Sequence, residues 1–406
     1  MFPPGLITES NNDESSSSSS SIIIIYRKLT KQTKNMSTPS TSAPLVFVVG
    51  GTGAQGMAVI RGLVHDGAYA VRFLTRDATS RRALELLQLP NVTALEGTFA
   101  SEPDLRAGLR GARFAFVNVD GFNAGEKTET FWAMRAYELA IEEAGVELFV
   151  YGNLDFAYKK GGHDPALRCG HYDGKGRVGE WILQQNRDPA GHNMRAALFT
   201  TGPYMDMVVG AGTPSSPLVD ADGVVTWRVP LGRSGAVAHV DLDDCGHYVR
   251  WLLDHPSRAD GMDLAVAVDL VRYDELARAF SAVTGRPARF VDVDLAEYWE
   301  SGPLSRAAAA PAGYNADPAD AATMTLRDNF TGFWNVWKRS GGEDGVVRRD
   351  WALLDEIHPR RVRSVEEWFR REEERSKERG LPDLWTRVNN LRPVLKVAED
   401  GRRGRL

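Results

Sequence analysis

The chain has 406 residues, 43% of them hydrophobic and 25% charged, enough for a sizeable core in two domains or one enlarged α/β domain. A formal charge of −5 excludes a broad electrostatic attraction to nucleic-acid backbones, so a regulatory role would have to run through protein partners. The two cysteines, Cys169 and Cys245, form no C-x-x-C pair and exclude a disulfide framework, which fits a reducing compartment, the cytoplasm or also the nucleus.

Residues 1–43 differ in composition from everything after them. Seven serines, Ser15 to Ser21, precede Ile22 to Ile25 and then Lys28, Lys31 and Lys34, which reads as a disordered tail. The isoleucine run is far too short to span a bilayer, and Asp13 and Glu14 argue against a secretory signal. Met36 stands just ahead of the globular sequence, so the first 35 residues read as an optional extension.

Leu45 to Val49 then reads as a buried parallel strand, and Met57 to Leu63 has the apolar spacing of a helix. Between them lies GGTGAQG. Gly50 lets the chain turn tightly off the strand, Gly53 lets bare backbone approach a pyrophosphate, and Gly56 lets the helix lie close on the strand. Phosphates would meet the positive end of that helix. This strand, glycine turn and helix together predict a dinucleotide site.

The second strand, Ala70 to Thr75, ends at Arg76. A guanidinium there suits the 2′-phosphate of NADP, whereas NAD is usually selected by a carboxylate at this place. Asp77 comes one position late, so NADP is expected ahead of NAD, with Arg81 and Arg82 adding positive charge. Further strands are predicted at Val92 to Glu96, Phe114 to Asn118, Glu147 to Tyr151 and Met194 to Phe199. Helical patterns alternate with them, such as Lys127 to Ala144, where Phe131, Met134, Tyr137 and Ile141 recur every three or four residues. The alternation predicts an α/β fold, a Rossmann doubly wound parallel sheet over residues 44–204, with its ligand crevice at the carboxyl ends of the strands.

After Tyr204 the regularity falls. A helix is expected within Asp241 to Leu253, a strand over Met262 to Val268, and a helix over Tyr273 to Thr284 closed by Gly285 and Pro287. Ala307 to Ala322 reads as an irregular connection or a small helix, and Val365 to Arg379 as a helix with Trp368 and Phe369 on one side. Residues 205–395 are therefore expected to form a smaller α/β C-terminal cap domain that returns to the main sheet, followed by a flexible end, 396–406. His239, Asp241, Asp243, Asp244 and His247 are metal-ligand residue types, but Asp243 or Asp244 reads as the cap of the following helix, and no metal is expected.

Six motifs spread from Val46 to Phe369 carry a family resemblance: GGTGAQG, TRD after the second strand, LFVYGNLD at the fifth, HYDGKGRVGEWI, TGPYMDM and VRSVEEWF. Together they resemble the NmrA-like proteins, an atypical branch of the short-chain dehydrogenase/reductase superfamily. The glycine loop and HYDGKG are particularly similar to the NADP-binding, redox-sensing members of eukaryotes. That likeness implies that Gly50, Thr52, Gly53, Gln55, Gly56 and Arg76 line the adenosine and pyrophosphate, with Asn118, Lys175 and Tyr204 nearer the nicotinamide. Similar proteins have Gly-Asp at the end of the third strand, the acid facing adenine, where this chain has Gly97 and Thr98.

Standard members of the superfamily reduce carbonyls with a Tyr-x-x-x-Lys pair and a serine. Here Lys175 is present, but His171 stands four residues before it and Tyr172 three, a turn of about 100° around a helix. The serine position corresponds to Gly152, followed by Asn153. Lys175 is expected to bond a ribose hydroxyl, and His171 and Tyr204 are the alternative proton donors. Two functions follow. The first is an NADP(H)-binding redox-sensing or regulatory protein whose partner is of the transcription-regulator type. The second is an NADPH-dependent oxidoreductase, similar to isoflavone-reductase-like relatives, that uses Lys175 on a small carbonyl or alkene. In that case Trp181, Tyr204, Phe333 and Trp334 would shape the substrate pocket. A scaffold with an empty cleft is the third possibility. Direct nucleic-acid or membrane binding is not expected.

Overall fold

The computed structural model describes residues 43–187 and 192–395, so the tail and the last segment expected from the sequence lie outside the described residues, save for residue 43. Seven parallel strands form the main sheet in the order β10-β6-β5-β4-β1-β2-β3. They are β1 (Leu45–Val49), β2 (Ala70–Thr75), β3 (Val92–Glu96), β4 (Phe114–Val117), β5 (Leu148–Leu154), β6 (Arg195–Thr201) and β10 (Asp263–Ala265).

Alternation along each strand sends side chains into two separate cores. Val46, Val48, Phe73, Phe116 and Val150 meet the helices Ala54–Val64 and Leu242–Asp254 on one face. Phe47, Val49, Ala115, Val117 and Phe149 meet the helices Glu102–Leu109, Glu126–Glu142 and Gly170–Arg187 on the other. Both faces are therefore covered, which is why the strands read as continuous apolar runs and why the fold is doubly wound.

The first three strands fall where the sequence places them, but the later ones shift. β5 runs on through Gly152, Asn153 and Leu154, paired with Phe199, Thr200 and Thr201 of β6. Polar residues at the carboxyl edge stay in the ladder because their backbone bonds do not depend on side-chain polarity. The expected strand Met262 to Val268 divides into β10, which joins β6, and β11 (Asp269–Val271), which pairs antiparallel with β9 (Val237–His239).

The helix Glu126–Glu142 keeps Met134, Tyr137 and Ile141 of the expected stripe against the core but turns Phe131 away from it. Phe131 is 58% exposed. Ala133, Ala136, Tyr137 and Ala140 face inward, joined by one carboxylate, Glu129. Small side chains let this helix ride close to the sheet.

In the second half, an aromatic core gathers Trp227, Tyr273, Phe280, Tyr298, Trp334, Trp337, Trp368 and Phe369. The helices Tyr273–Thr284 and Val365–Arg379 have the predicted bounds, and a three-stranded sheet, β12 (Ala288–Asp292), β8 (Val225–Val229) and β7 (Leu218–Val219), packs among them. The helix Leu242–Asp254 returns to the main sheet, where Gly246 comes so close to Gly62 that a Cβ on Gly62 would stand 2.6 Å from the Gly246 Cα. Its cap is Asp241, which accepts the Asp243 N–H, and not Asp243 or Asp244 as the sequence suggested. The helix begins two residues earlier than a cap at Asp243 implies, and three earlier than a cap at Asp244. Among the described residues no helix is long and apolar enough to cross a membrane, and no group of three or more His, Cys, Asp or Glu is arranged to hold a metal ion.

Asp241 is 3% exposed, and burial, reinforced by Asp244, Asp243 and Asp206 against Arg375, pushes its carboxyl up to about 7. A carboxyl raised above its unfolded value contributes stability that is present at low pH and lost as pH rises through the folded value. The Asp241 contribution to thermal stability should therefore fall between pH 5 and pH 8. Asp241→Asn keeps a capping oxygen and should flatten that slope, by on the order of 1–4 kcal/mol at pH 8. Melting curves of both proteins across this range measure the effect, and parallel slopes would contradict it.

Candidate functional site

A cavity of about 720 Å³ opens at the carboxyl ends of β1, β2, β4, β5 and β6. Gly50, Thr52, Gly53, Gln55, Gly56, Arg76, Asn118, His171, Lys175 and Tyr204 all line it. The structure thus brings these ten residues, all expected from the sequence, to one hollow.

The glycine turn explains one end of it. Gly50 has φ +82°, and a Cβ there would strike the Asn118 carbonyl oxygen at 2.3 Å. A Cβ on Gly56 would stand 2.2 Å from Gly50 O. The Gly53 N–H donates to Gly50 O at 2.9 Å, and Met57 N–H donates to Gly53 O at 3.0 Å. No side chain caps the helix Ala54–Val64, and its first turn holds no carboxylate. An uncapped helix start beside bare backbone is an anion cradle, and the glycines let that backbone fold tightly against itself and Asn118.

At the end of β2 the arginine and the late acid separate. Arg76 lines the cavity, whereas Asp77 turns into its own loop and accepts from Thr79 N at 2.8 Å and Thr79 Oγ1 at 2.6 Å. Arg82 is buried and donates to Thr52 O, so its positive charge stands behind the glycine turn without lining the cavity, and Arg81 pairs with Glu85. At β3, the Thr98 N–H donates to Asp104 Oδ2 at 3.0 Å, so an acid from the next helix stands beside the Gly97-Thr98 pair.

Lys175 occupies the middle. Its Nζ donates to Asn118 Oδ1 at 2.9 Å, Val119 O at 2.9 Å and Gly152 O at 3.2 Å. An ammonium has three protons, and these acceptors use them all. Glu129 Oε1 lies 2.9 Å from the same nitrogen, as close as the nearest of these acceptors, and serves as counter-charge. Burial raises the Glu129 carboxyl, against the pull of Lys175. Asn118 Nδ2 then donates to Gln55 Oε1 at 2.7 Å, and Gln55 Nε2 donates to Thr201 Oγ1 at 3.3 Å. A polar chain therefore links the lysine to the helix that begins at the glycine turn. A Cβ on Gly152 would stand 2.7 Å from the Asn118 Cβ, so Asn118 fills the space a serine at 152 would need.

The other candidate groups are placed as follows. Tyr172 is 2% exposed and packs against Phe333 and Trp337 at ring distances of 6.1 and 6.0 Å, with its hydroxyl unbonded. Its ring belongs to the aromatic core where that core borders the cavity. Tyr204 borders the cavity, and burial raises its hydroxyl well above the ordinary tyrosine range. Burial also pushes the His171 imidazole down to about 4, so it is neutral at pH 7.

The far end of the cavity is apolar. Phe122, Phe330 and Phe333 line it with Leu304, Tyr314 and Leu326. Asp120 accepts the Phe122 N–H and so fixes the short turn that carries the ring. Phe122 O and Asn123 O accept the N–H groups of Tyr314 and Asn315, clipping the second half of the chain over the site. Of the four aromatic residues expected to shape a pocket, Tyr204 and Phe333 do so. Trp181 packs on Tyr137 at 5.5 Å outside the cavity, and Trp334 is fully buried against Tyr298 and Phe333. Both indoles sit on the core-facing sides of their helices.

Removing one member of the Lys175–Glu129 pair strands a buried charge. Lys175→Met and Glu129→Leu should each cost about 3 kcal/mol of unfolding free energy, while the double variant costs less than their sum by about 2 kcal/mol. Urea unfolding of the four proteins closes the cycle, and additive losses would contradict the pairing.

The NmrA-like family profile matches residues 42–309. The NmrA-like family domain-containing oxidoreductase ptmS of Penicillium ochrochloron is 27% identical over 264 residues, covering 61% of this chain and 76% of the relative. The similarly named himF of Aspergillus japonicus is 28% identical over 255 residues, covering 61% and 75%. Among solved structures, NmrA, a negative transcriptional regulator in complex with NADP, superposes with a TM-score of 0.64 at 17% identity, over 85% of this chain and 100% of that one. The NADPH-dependent quinone oxidoreductase QOR2 of Escherichia coli, complexed with NADPH, gives 0.58 at 15% identity, over 80% and 98%. At those identities the structural likeness speaks for the fold. The family match runs from the glycine turn through Lys175 to the first residues of the apolar wall, and the chain belongs to the NmrA-like family.

Proposed function

We propose that this protein is an NADP(H)-dependent oxidoreductase. The observation that carries the reading is the continuity of one cavity, from the glycine cradle past Lys175 to a wall of aromatic rings. A cofactor alone has no use for that wall, whereas an apolar substrate beside the nicotinamide does. Relatives described as oxidoreductases support it.

Gly50, Thr52, Gly53, Gln55 and Gly56 would hold the pyrophosphate, Arg76 the 2′-phosphate, and Asn118 and Lys175 the nicotinamide half. When bound, the cofactor supplies a hydride. The chain supplies a fixed positive charge at Lys175, which favours negative charge developing on a substrate oxygen nearby. For the lysine to bond a ribose hydroxyl as well, it must release one of its three protein acceptors. Tyr204 stays protonated at neutral pH and is one hydroxyl of the wall able to give a proton.

The second reading is a redox-responsive regulator with a protein partner of the transcription-regulator type, acting in the cytoplasm or nucleus. The full engagement of the Lys175 protons and the displaced phenol of Tyr172 favour it. Under it, cofactor binding stabilises the closed arrangement only as far as it prefers that arrangement.

Equilibrium titration with NADPH and NADH, followed by turnover on ketones, quinones and alkenes, separates these readings. NADPH should bind more tightly than NADH, and Arg76→Ala should weaken NADPH by roughly ten- to a hundredfold while sparing NADH. Substrate-dependent oxidation of NADPH supports the enzyme. Tight NADPH binding without turnover, with a partner captured in one cofactor state, supports the regulator. Equal affinities unchanged by Arg76→Ala would contradict the cofactor assignment in both.

A further inference from the structure

His171 stands in the first turn of the helix Gly170–Arg187, with its ring 4.8 Å from Phe122 and 5.5 Å from Phe330 in the cavity wall. Behind it lies Asn329 of the helix Leu326–Lys338, fully buried. The His171 backbone N–H donates to Asn329 Oδ1 at 3.3 Å. That bond turns the amide oxygen toward His171, because a backbone N–H does not face an NH₂ group, and leaves Asn329 Nδ2 buried without a partner among the described residues.

The same oxygen lies 3.0 Å from His171 Nδ1. An acceptor there places the imidazole proton on Nδ1. Cys169 Sγ, 3.3 Å from Nδ1 and 3.9 Å from Asn329 Oδ1, donates to Asn329 and leaves that assignment in place. The neutral ring then keeps a bare lone pair on Nε2, the ring edge opposite Asn329, and among the described residues Nε2 has no hydrogen-bond partner.

We propose that His171 is a hydrogen-bond acceptor for the substrate, and that the substrate class is an uncharged aromatic compound carrying a donor, a phenolic O–H or ring N–H, seated against Phe122 and Phe330. Asn329 is its positioning residue: it fixes the tautomer without touching the ligand. The inference rests on the oxidoreductase reading for its purpose and on the Asn329 amide for its chemistry. It turns His171 from a proton donor into a reader of donors. Phe330 and Asn329 lie beyond the residues matched by the family, whereas Phe122 and His171 lie within them, so this recognition draws on both halves of the chain.

The test uses the full chain and two probes of the same shape, 2-naphthol and 2-methoxynaphthalene, with binding followed by calorimetry. The naphthol should bind about tenfold more tightly, and His171→Phe should erase the difference. A nitrogen-15 spectrum of the wild-type protein without cofactor should show the proton on Nδ1 of His171, and Asn329→Leu should shift that population toward Nε2. Equal binding of the two probes, no binding of 2-naphthol, or a proton found on Nε2 in the wild type would overturn the proposal. The nitrogen spectrum is read without cofactor, so a failed NADPH titration leaves it standing, while a wrong tautomer sinks the inference even where NADPH binds.

Discussion

The buried ammonium of Lys175 is the constraint around which the site is arranged. A charge removed from water must be matched by acceptors and by an opposite charge, or the fold gives up several kcal/mol. Here the match comes from three places in the chain: the ends of β4 and β5, and the first turn of the helix Glu126–Glu142. Each acceptor ties an element to the carboxyl edge of the sheet. Through Asn118 and Gln55 the same set of bonds reaches the glycine turn, so the cradle at one end and the lysine in the middle form a single rigid unit.

The cavity has two ends with different physics. The glycine end offers backbone dipoles and an arginine, which suit an anion and take little from side chains. The aromatic end offers faces and one imidazole nitrogen, which suit a flat, uncharged molecule. The first end comes from the Rossmann half alone. The second needs Phe122 from that half and Phe330 and Phe333 from the other, held together by the clip between residues 122–123 and 314–315.

What the sequence disclosed follows the range of each interaction. The glycine turn, the first three strands and the helix Tyr273–Thr284 were legible because neighbours in sequence decide them: buried alternation, a turn needing φ +82° at Gly50, a left-handed closure at Gly285. Arg76 and Lys175 were legible by spacing and resemblance. Glu129 was not, because its partner lies on another helix, although a carboxylate four residues before Ala133 on a buried stripe is a signal that was there to be read. Asn329 acts on His171 from 158 residues away, and nothing local marks it. Of the stripe Phe131, Met134, Tyr137 and Ile141, Phe131 alone misled, because close packing on the sheet favours the alanines beside the other three.

The central claim is that the backbone from Gly50 to Met57 holds a dinucleotide and is coupled to Lys175. Amide hydrogen exchange with and without saturating NADPH tests it most directly. The account predicts slowed exchange in that segment and, through Gln55 and Asn118, at the end of β4. Unchanged exchange at the glycine turn with NADPH in excess would contradict it.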